Sequence, residues 1–233
     1  MSAIFTATQD QSTVTALPEI VIFDWDGTVV DSTQTIAHAI CEACRDIDAQ
    51  VPSMERASYV IGLGLQDALN HVAPGLSADR QKKLGERFRH HYLARDQFLQ
   101  PFPGMTGVFD FLKSLELPLA VATGKSRVGL ERAFDATQTR HYFSTSRCAD
   151  ETDPKPAPTM VLEICEELGI TPERALVIGD TTHDMYMGKS AGASVLAVTY
   201  GAHKHDLLKE ASPLDYMHSV EELHNWMRQW TTN

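Results

Sequence analysis

Apolar positions along this chain follow two periods, and the change from one to the other divides it. Glu19-Ile20-Val21-Ile22-Phe23-Asp24 carries an unbroken apolar run rich in β-branched residues, the signature of a strand covered on both faces. A turn follows at Trp25-Asp26-Gly27-Thr28. Over 32–99 the apolar residues recur at helical spacing in a hydrophilic background, which predicts helices over 33–48, 66–72 and 77–99. Breaks fall at Val51-Pro52-Ser53, Gly62-Leu63-Gly64 and Pro74-Gly75, and Ser77 is the expected N-cap of the third helix.

Pro101-Phe102-Pro103-Gly104 reads as a rigid return linker, after which short apolar runs alternate with amphipathic ones. Helices are expected over 108–115, 127–134, 158–168 and 185–191, and strands over 119–122, 144–148, 175–178 and 194–198. This rhythm predicts an α/β fold: a Rossmann-like, doubly wound parallel sheet with helices on both faces and an all-helical insert after the first strand. The expected division is a flexible arm over 1–18, an α/β core over 19–32 and 100–233, and a helical domain over 33–99. No element is assigned beyond 198.

Composition narrows the field. The 233 residues are 43% hydrophobic and 22% charged, as in an ordinary soluble protein able to bury a core without staples. A net charge of −11 argues against nucleic acid and anionic membranes as partners, but not against a small anionic substrate in a local basic pocket. The first 19 residues do not read as a signal peptide, and no run approaches a membrane span. Four cysteines do not make a disulfide framework; Cys41 and Cys44 lie within a helical pattern, where packing is the expected role. A reducing cytoplasm fits this usage. The expected state is a monomer or weak dimer.

Ligands of open α/β sheets sit at the carboxyl ends of the strands. There the sequence places Asp24 and Asp26, then Thr123-Gly124-Lys125-Ser126, then Lys155 ahead of a helix, then Gly179-Asp180-Thr181-Thr182-His183-Asp184. Converging carboxylates repel one another unless a cation lies among them, and oxygen-only ligands point to magnesium. The Thr123 hydroxyl, the N–H groups after it and Lys155 can hold phosphate oxygens. One carboxylate can then attack phosphorus while a second serves as acid and base. Taken singly these groups have plainer readings: Asp24 and Asp26 as turn acids, Thr123-Gly124 as a helix start, Lys155 as a surface lysine, Asp184 as a helix-start acid.

Together, Asp24-Trp25-Asp26-Gly27-Thr28-Val29-Val30-Asp31-Ser32, Thr123, Lys155-Pro156 and Gly179-Asp180-Thr181-Thr182-His183-Asp184 resemble, in order, the four motifs of the haloacid dehalogenase (HAD) superfamily. The resemblance covers 19–201 and extends to the phosphoglycolate phosphatase-like subfamily, whose helical C1-type cap matches the insert at 33–99. It implies a magnesium-dependent phosphatase acting on a small phosphorylated metabolite: a phosphoglycolate-like ester, a sugar phosphate or a nucleotide. By that resemblance Asp24 is the nucleophile and Asp26 the acid/base. Gly27, Thr123, Gly124 and Lys155 bind phosphate. Magnesium lies between Asp24, the Asp26 carbonyl and Asp180, with Asp184 in support.

Asp26 argues against a dehalogenase, and the polar setting of Lys82 and Lys83 argues against a phosphonatase that uses a cap lysine. A phosphosugar mutase, or a binding module on the same scaffold, stays open. Gly62, Gly64 and Leu65 form a candidate substrate loop of the cap, and Lys125 is a candidate for substrate charge. His90, His91, His203 and His205 show no metal-binding spacing and are expected at solvated positions.

Overall fold

The computed structural model describes residues 17–231, so most of the expected arm lies outside the described residues. Six parallel strands form one sheet in the order β3-β2-β1-β4-β5-β6. They are β1 (Ile20–Phe23), β2 (Leu119–Thr123), β3 (Thr145–Cys148), β4 (Ala175–Gly179), β5 (Ser194–Val198) and β6 (Tyr216–Met217). This is the α/β sheet that the alternating pattern predicts.

Strand alternation explains why β1 has no polar side chain. Val21 and Phe23 point to one face, into a cluster with α5 (Met105–Ser114), α6 (Arg127–Thr137) and α10 (Val220–Arg228). Ile20 and Ile22 point to the other, against α7 (Thr159–Leu168), α8 (Thr182–Ala191) and α9 (His205–Glu210). Each large side chain buried this way contributes roughly 1.5–3 kcal/mol.

Chain order reverses direction between β1 and β4, whose registers align Phe23 with Ile178. That switch point opens a crevice at the strands' carboxyl ends. It brings the residues after β1 and after β4 side by side.

The insert has a hydrophobic cluster of its own. Helix α1 (Thr33–Asp46) packs on α4 (Ala78–Leu93), with α2 (Met54–Tyr59) and α3 (Leu65–Val72) closing the group around Ile40, Cys44, Leu69 and Leu84. Cys41 and Cys44 are buried, unbridged thiols in this packing.

Several boundaries differ from expectation. The first helix stops at Asp46, and the third ends at Leu93 before a short 3-10 turn over Asp96–Phe98. Helix α2 begins right after the expected break, where the Ser53 hydroxyl accepts from the Arg56 N–H; six residues are too few for a period to register. Helix α8 begins at Thr182 rather than 185, because Thr181 and Asp184 form a capping box. The 127–134 helix is capped by Ser126, so the helix start belongs to that residue and not to Thr123-Gly124. Elements α9, β6 and α10 were not expected.

Candidate active site

Asp24 follows β1 directly, and its N–H donates to the Ile178 carbonyl of β4, which fixes it at the switch point. Asp180 follows β4, Thr123 ends β2, and Lys155 lies in the loop between β3 and α7. All four are buried.

Lys155 Nζ donates to Asp24 Oδ1 at 2.5 Å and to Asp184 Oδ1 at 2.6 Å. Thr28 Oγ1 donates to Asp180 Oδ1 at 2.8 Å, and the Ala202 N–H donates to Asp180 Oδ2 at 2.6 Å. Asp184 Oδ2 accepts from the Thr181 N–H and hydroxyl, so the residue both starts α8 and orients Lys155. The Lys125 N–H donates to Thr123 Oγ1 at 3.2 Å.

Asp26 faces elsewhere. Ser32 Oγ donates to its Oδ1 at 2.6 Å, and Lys125 Nζ lies 3.0 Å from its Oδ2. Lys125 also donates to the Tyr92 hydroxyl at 2.7 Å, which ties the insert's α4 to the acid. Lys125 is therefore neutralised by Asp26 here, rather than standing free for a ligand.

Gly27 has φ +87°, and its N–H is committed to the Val30 carbonyl at 2.9 Å. A side chain there would strike the Asp180 carboxylate. A side chain at Gly124 would strike the Gly62 and Leu63 carbonyls. So the 62–64 loop, from which α3 continues through Leu65, lies directly on the second strand's turn; Gly62 also sits beside Thr181, and Gly64 beside Pro154.

Charge in this niche is unbalanced. Burial, with repulsion from Asp184 and Asp180, pushes the Asp24 carboxyl well above the usual carboxylate range, although Lys155 pulls it back. Burial and the Asp184 charge raise Asp180 to about 7. Asp184 stays low, since Lys155 outweighs its burial. Burial disfavours the Lys155 charge, but the two carboxylates against it prevail and hold the ammonium.

Oxygens of Asp24, Asp180 and Asp184 come within 4.8 Å of one another, and Asp24 Oδ2 is buried without a hydrogen-bond partner. An all-carboxylate donor set with an unpaired buried oxygen fits a hard divalent cation. Asp26's carboxylate is not in that group, so its part in holding a cation would fall to its backbone carbonyl.

Sequence reasoning missed Thr28, Ser32, Thr181 and Tyr92. The first two stand in the first motif as polar residues that end up fully buried, and Ser32 makes no side-chain cap on α1 because its hydroxyl serves Asp26. His203 corrects the solvated expectation. It is buried, accepts at Nδ1 from the Thr182 N–H at 3.1 Å, and therefore carries its proton on Nε2, which donates to the Tyr59 carbonyl at 2.9 Å. The neighbouring His183 reaches the same carbonyl, and burial lowers its pKa to about 4.

Comparison with known proteins bears on the family and the fold. Residues 21–198 match the family model of haloacid dehalogenase-like hydrolases. Probable phosphatase IndB of Dickeya dadantii (strain 3937) is 34% identical over 200 residues, 83% of this chain and 86% of that protein. Phosphoglycolate phosphatase of Aquifex aeolicus (strain VF5) is 31% identical over 184 residues, covering 78% and 85%. The crystal structure of a hydrolase from Pseudomonas syringae superposes with a TM-score of 0.83 at 21% identity, over 91% of this chain and 98% of that one.

Proposed function

Because the chain belongs to the haloacid dehalogenase-like hydrolase family, we propose that it is a magnesium-dependent phosphatase that releases phosphate from a phosphomonoester through an aspartyl-phosphate on Asp24. One observation carries this reading: Asp24 is buried at the switch point, with one oxygen on Lys155 and the other unpaired in a niche of carboxylates. The names of the Dickeya and Aquifex relatives support a phosphomonoester as substrate.

Lys155, the Thr123 hydroxyl and the N–H groups after it would hold the phosphate oxygens. The Asp24 carboxylate attacks phosphorus as the bond to the alcohol oxygen breaks, and Asp26 gives that oxygen its proton. Asp26 then takes a proton from the water that attacks the aspartyl-phosphate, which frees inorganic phosphate and restores Asp24. Ser32, which donates to Asp26 Oδ1, would hold the carboxyl group in place both as the acid of the first step and as the base of the second. Magnesium, held by Asp24, Asp180 and the Asp26 carbonyl, would supply the positive charge that lets an anionic carboxylate approach an anionic phosphate. Helices of the 33–99 insert would form the cap that excludes bulk water.

A panel of phosphomonoesters assayed with magnesium and with chelator tests this. Phosphate release should need magnesium and fall on the order of 10⁴-fold or more in Asp24→Asn. Undiminished release by that variant would overturn the assignment.

A further inference from the structure

Between the α1–α4 group and the sheet's carboxyl edge lies a cavity of about 750 Å³. Asp26, Gly124 and Lys125 line it on the side of the sheet, while Ile36, Ile40, Leu65, Phe88 and Val128 supply apolar wall. Asp24, Lys155 and Asp180 are buried and do not line it. The arrangement sorts the two halves of a phosphomonoester. Phosphorus must meet Asp24, and the departing oxygen must face Asp26, so the alcohol projects from Asp26 into the cavity.

The size of that cavity is informative. Its volume falls in the range of roughly 300–1,000 Å³ that encloses drug-sized ligands. The alcohol of a two-carbon acid has only a handful of atoms and would leave most of the space unfilled, against a wall that is apolar over most of its area, although Gln66, Asp67, Ser126 and Asp150 also line it. The wall's cations are also largely committed. Lys125 is bound to Asp26, and Arg132 pairs with Asp96 at 2.9 Å. Arg89, exposed on α4, has no carboxylate partner among the described residues, and recognition of a small carboxylate would rest on it alone.

From this we infer that the enzyme's substrate is the phosphomonoester of a bulky alcohol with an apolar ring or chain, rather than of a two-carbon acid. The inference rests on the phosphatase reading of the same site and adds the substrate class to it. Phe88 stacks on Tyr92 with ring centroids 5.7 Å apart, presenting an aromatic pair on α4 to such a ring.

The test compares kcat/KM, with magnesium, for 2-phenylethyl phosphate, ethyl phosphate and phosphoglycolate. These alcohols leave with similar ease, so the ratios read the contacts of the alcohol rather than its chemistry. Phenylethyl phosphate should exceed each of the others by about tenfold or more. Val128 is 71% exposed, so Val128→Trp fills the cavity from α6 without disturbing the core; it should cut the phenylethyl-to-ethyl ratio below about threefold. Equal rates for all three esters, or a preference for phosphoglycolate that disappears in Arg89→Ala, would overturn the substrate class and leave the phosphatase standing. No phosphate release from any ester by folded, magnesium-loaded protein would remove both.

Discussion

Asp180 shows how a single side chain carries the electrostatic cost of the niche. Burial and the nearby Asp184 charge push its folded carboxyl up to about 7, well above the ordinary carboxylate range of about 4. Folding therefore favours its protonated form. The stability this group contributes is complete below about pH 4 and is lost as pH rises through about 7. Asp24 is shifted in the same direction and adds to the loss. A divalent cation among these carboxylates removes the penalty by binding the deprotonated forms. Thermal melts in chelator should show Tm falling between pH 5 and pH 8, and magnesium should raise Tm more at pH 8 than at pH 6. A magnesium-induced shift of the same size at both values would contradict the carboxylate site. Of these residues, Asp24, Asp26, Thr123, Lys155, Asp180 and Asp184 stand out in the sequence, because each follows a strand or precedes a helix at a motif position. Thr28, Ser32 and Tyr92 do not, since their roles lie in which distant partner they meet.

The elements divide along similar lines. Strands β1, β2, β4 and β5 are legible to within a residue, because two-sided burial leaves no polar interruption in their apolar runs. Helix α2 and the two-residue β6 are too short for any period, and they exist through tertiary pairing: Tyr59 at the end of α2 offers its carbonyl to His183 and His203. Helix α10 does have a signal in Ser219 and Glu222, the spacing of a capping box, and the Ser219 hydroxyl accepts from the Glu222 N–H. The loop over 62–64 is legible as a break, but its place is not. Only the structure shows its carbonyls against Gly124, close enough that Gly124→Ala must displace one backbone from the other. That variant should keep its helical circular dichroism and lose roughly tenfold or more in kcat/KM, since misplacement by about an ångström is costly in an assembled site. Full activity would show that the loop's seat does not matter to turnover.

Across the whole molecule, chain order does the assembling. Reversal of strand order between β1 and β4 places Asp24 beside Asp180, and the loops after β2 and β3 add Thr123 and Lys155 from the other side. A chain of net charge −11 can thus place a buried lysine, Lys155, at the edge where an anionic ligand would bind. The insert contributes Tyr92 and the 62–64 loop to that edge and encloses the cavity in front of Asp26. No helix among the described residues is long and apolar enough to cross a membrane. The central claim is covalent: the phosphoryl group passes through Asp24. Rapid quench of the protein turning over a phosphomonoester with magnesium, followed by borohydride, reduces an acyl phosphate to homoserine. Peptide mass spectrometry should find homoserine at position 24, only when substrate and magnesium are both present. Turnover that leaves Asp24 unlabelled, or a phosphoryl group trapped on another residue, would contradict the account.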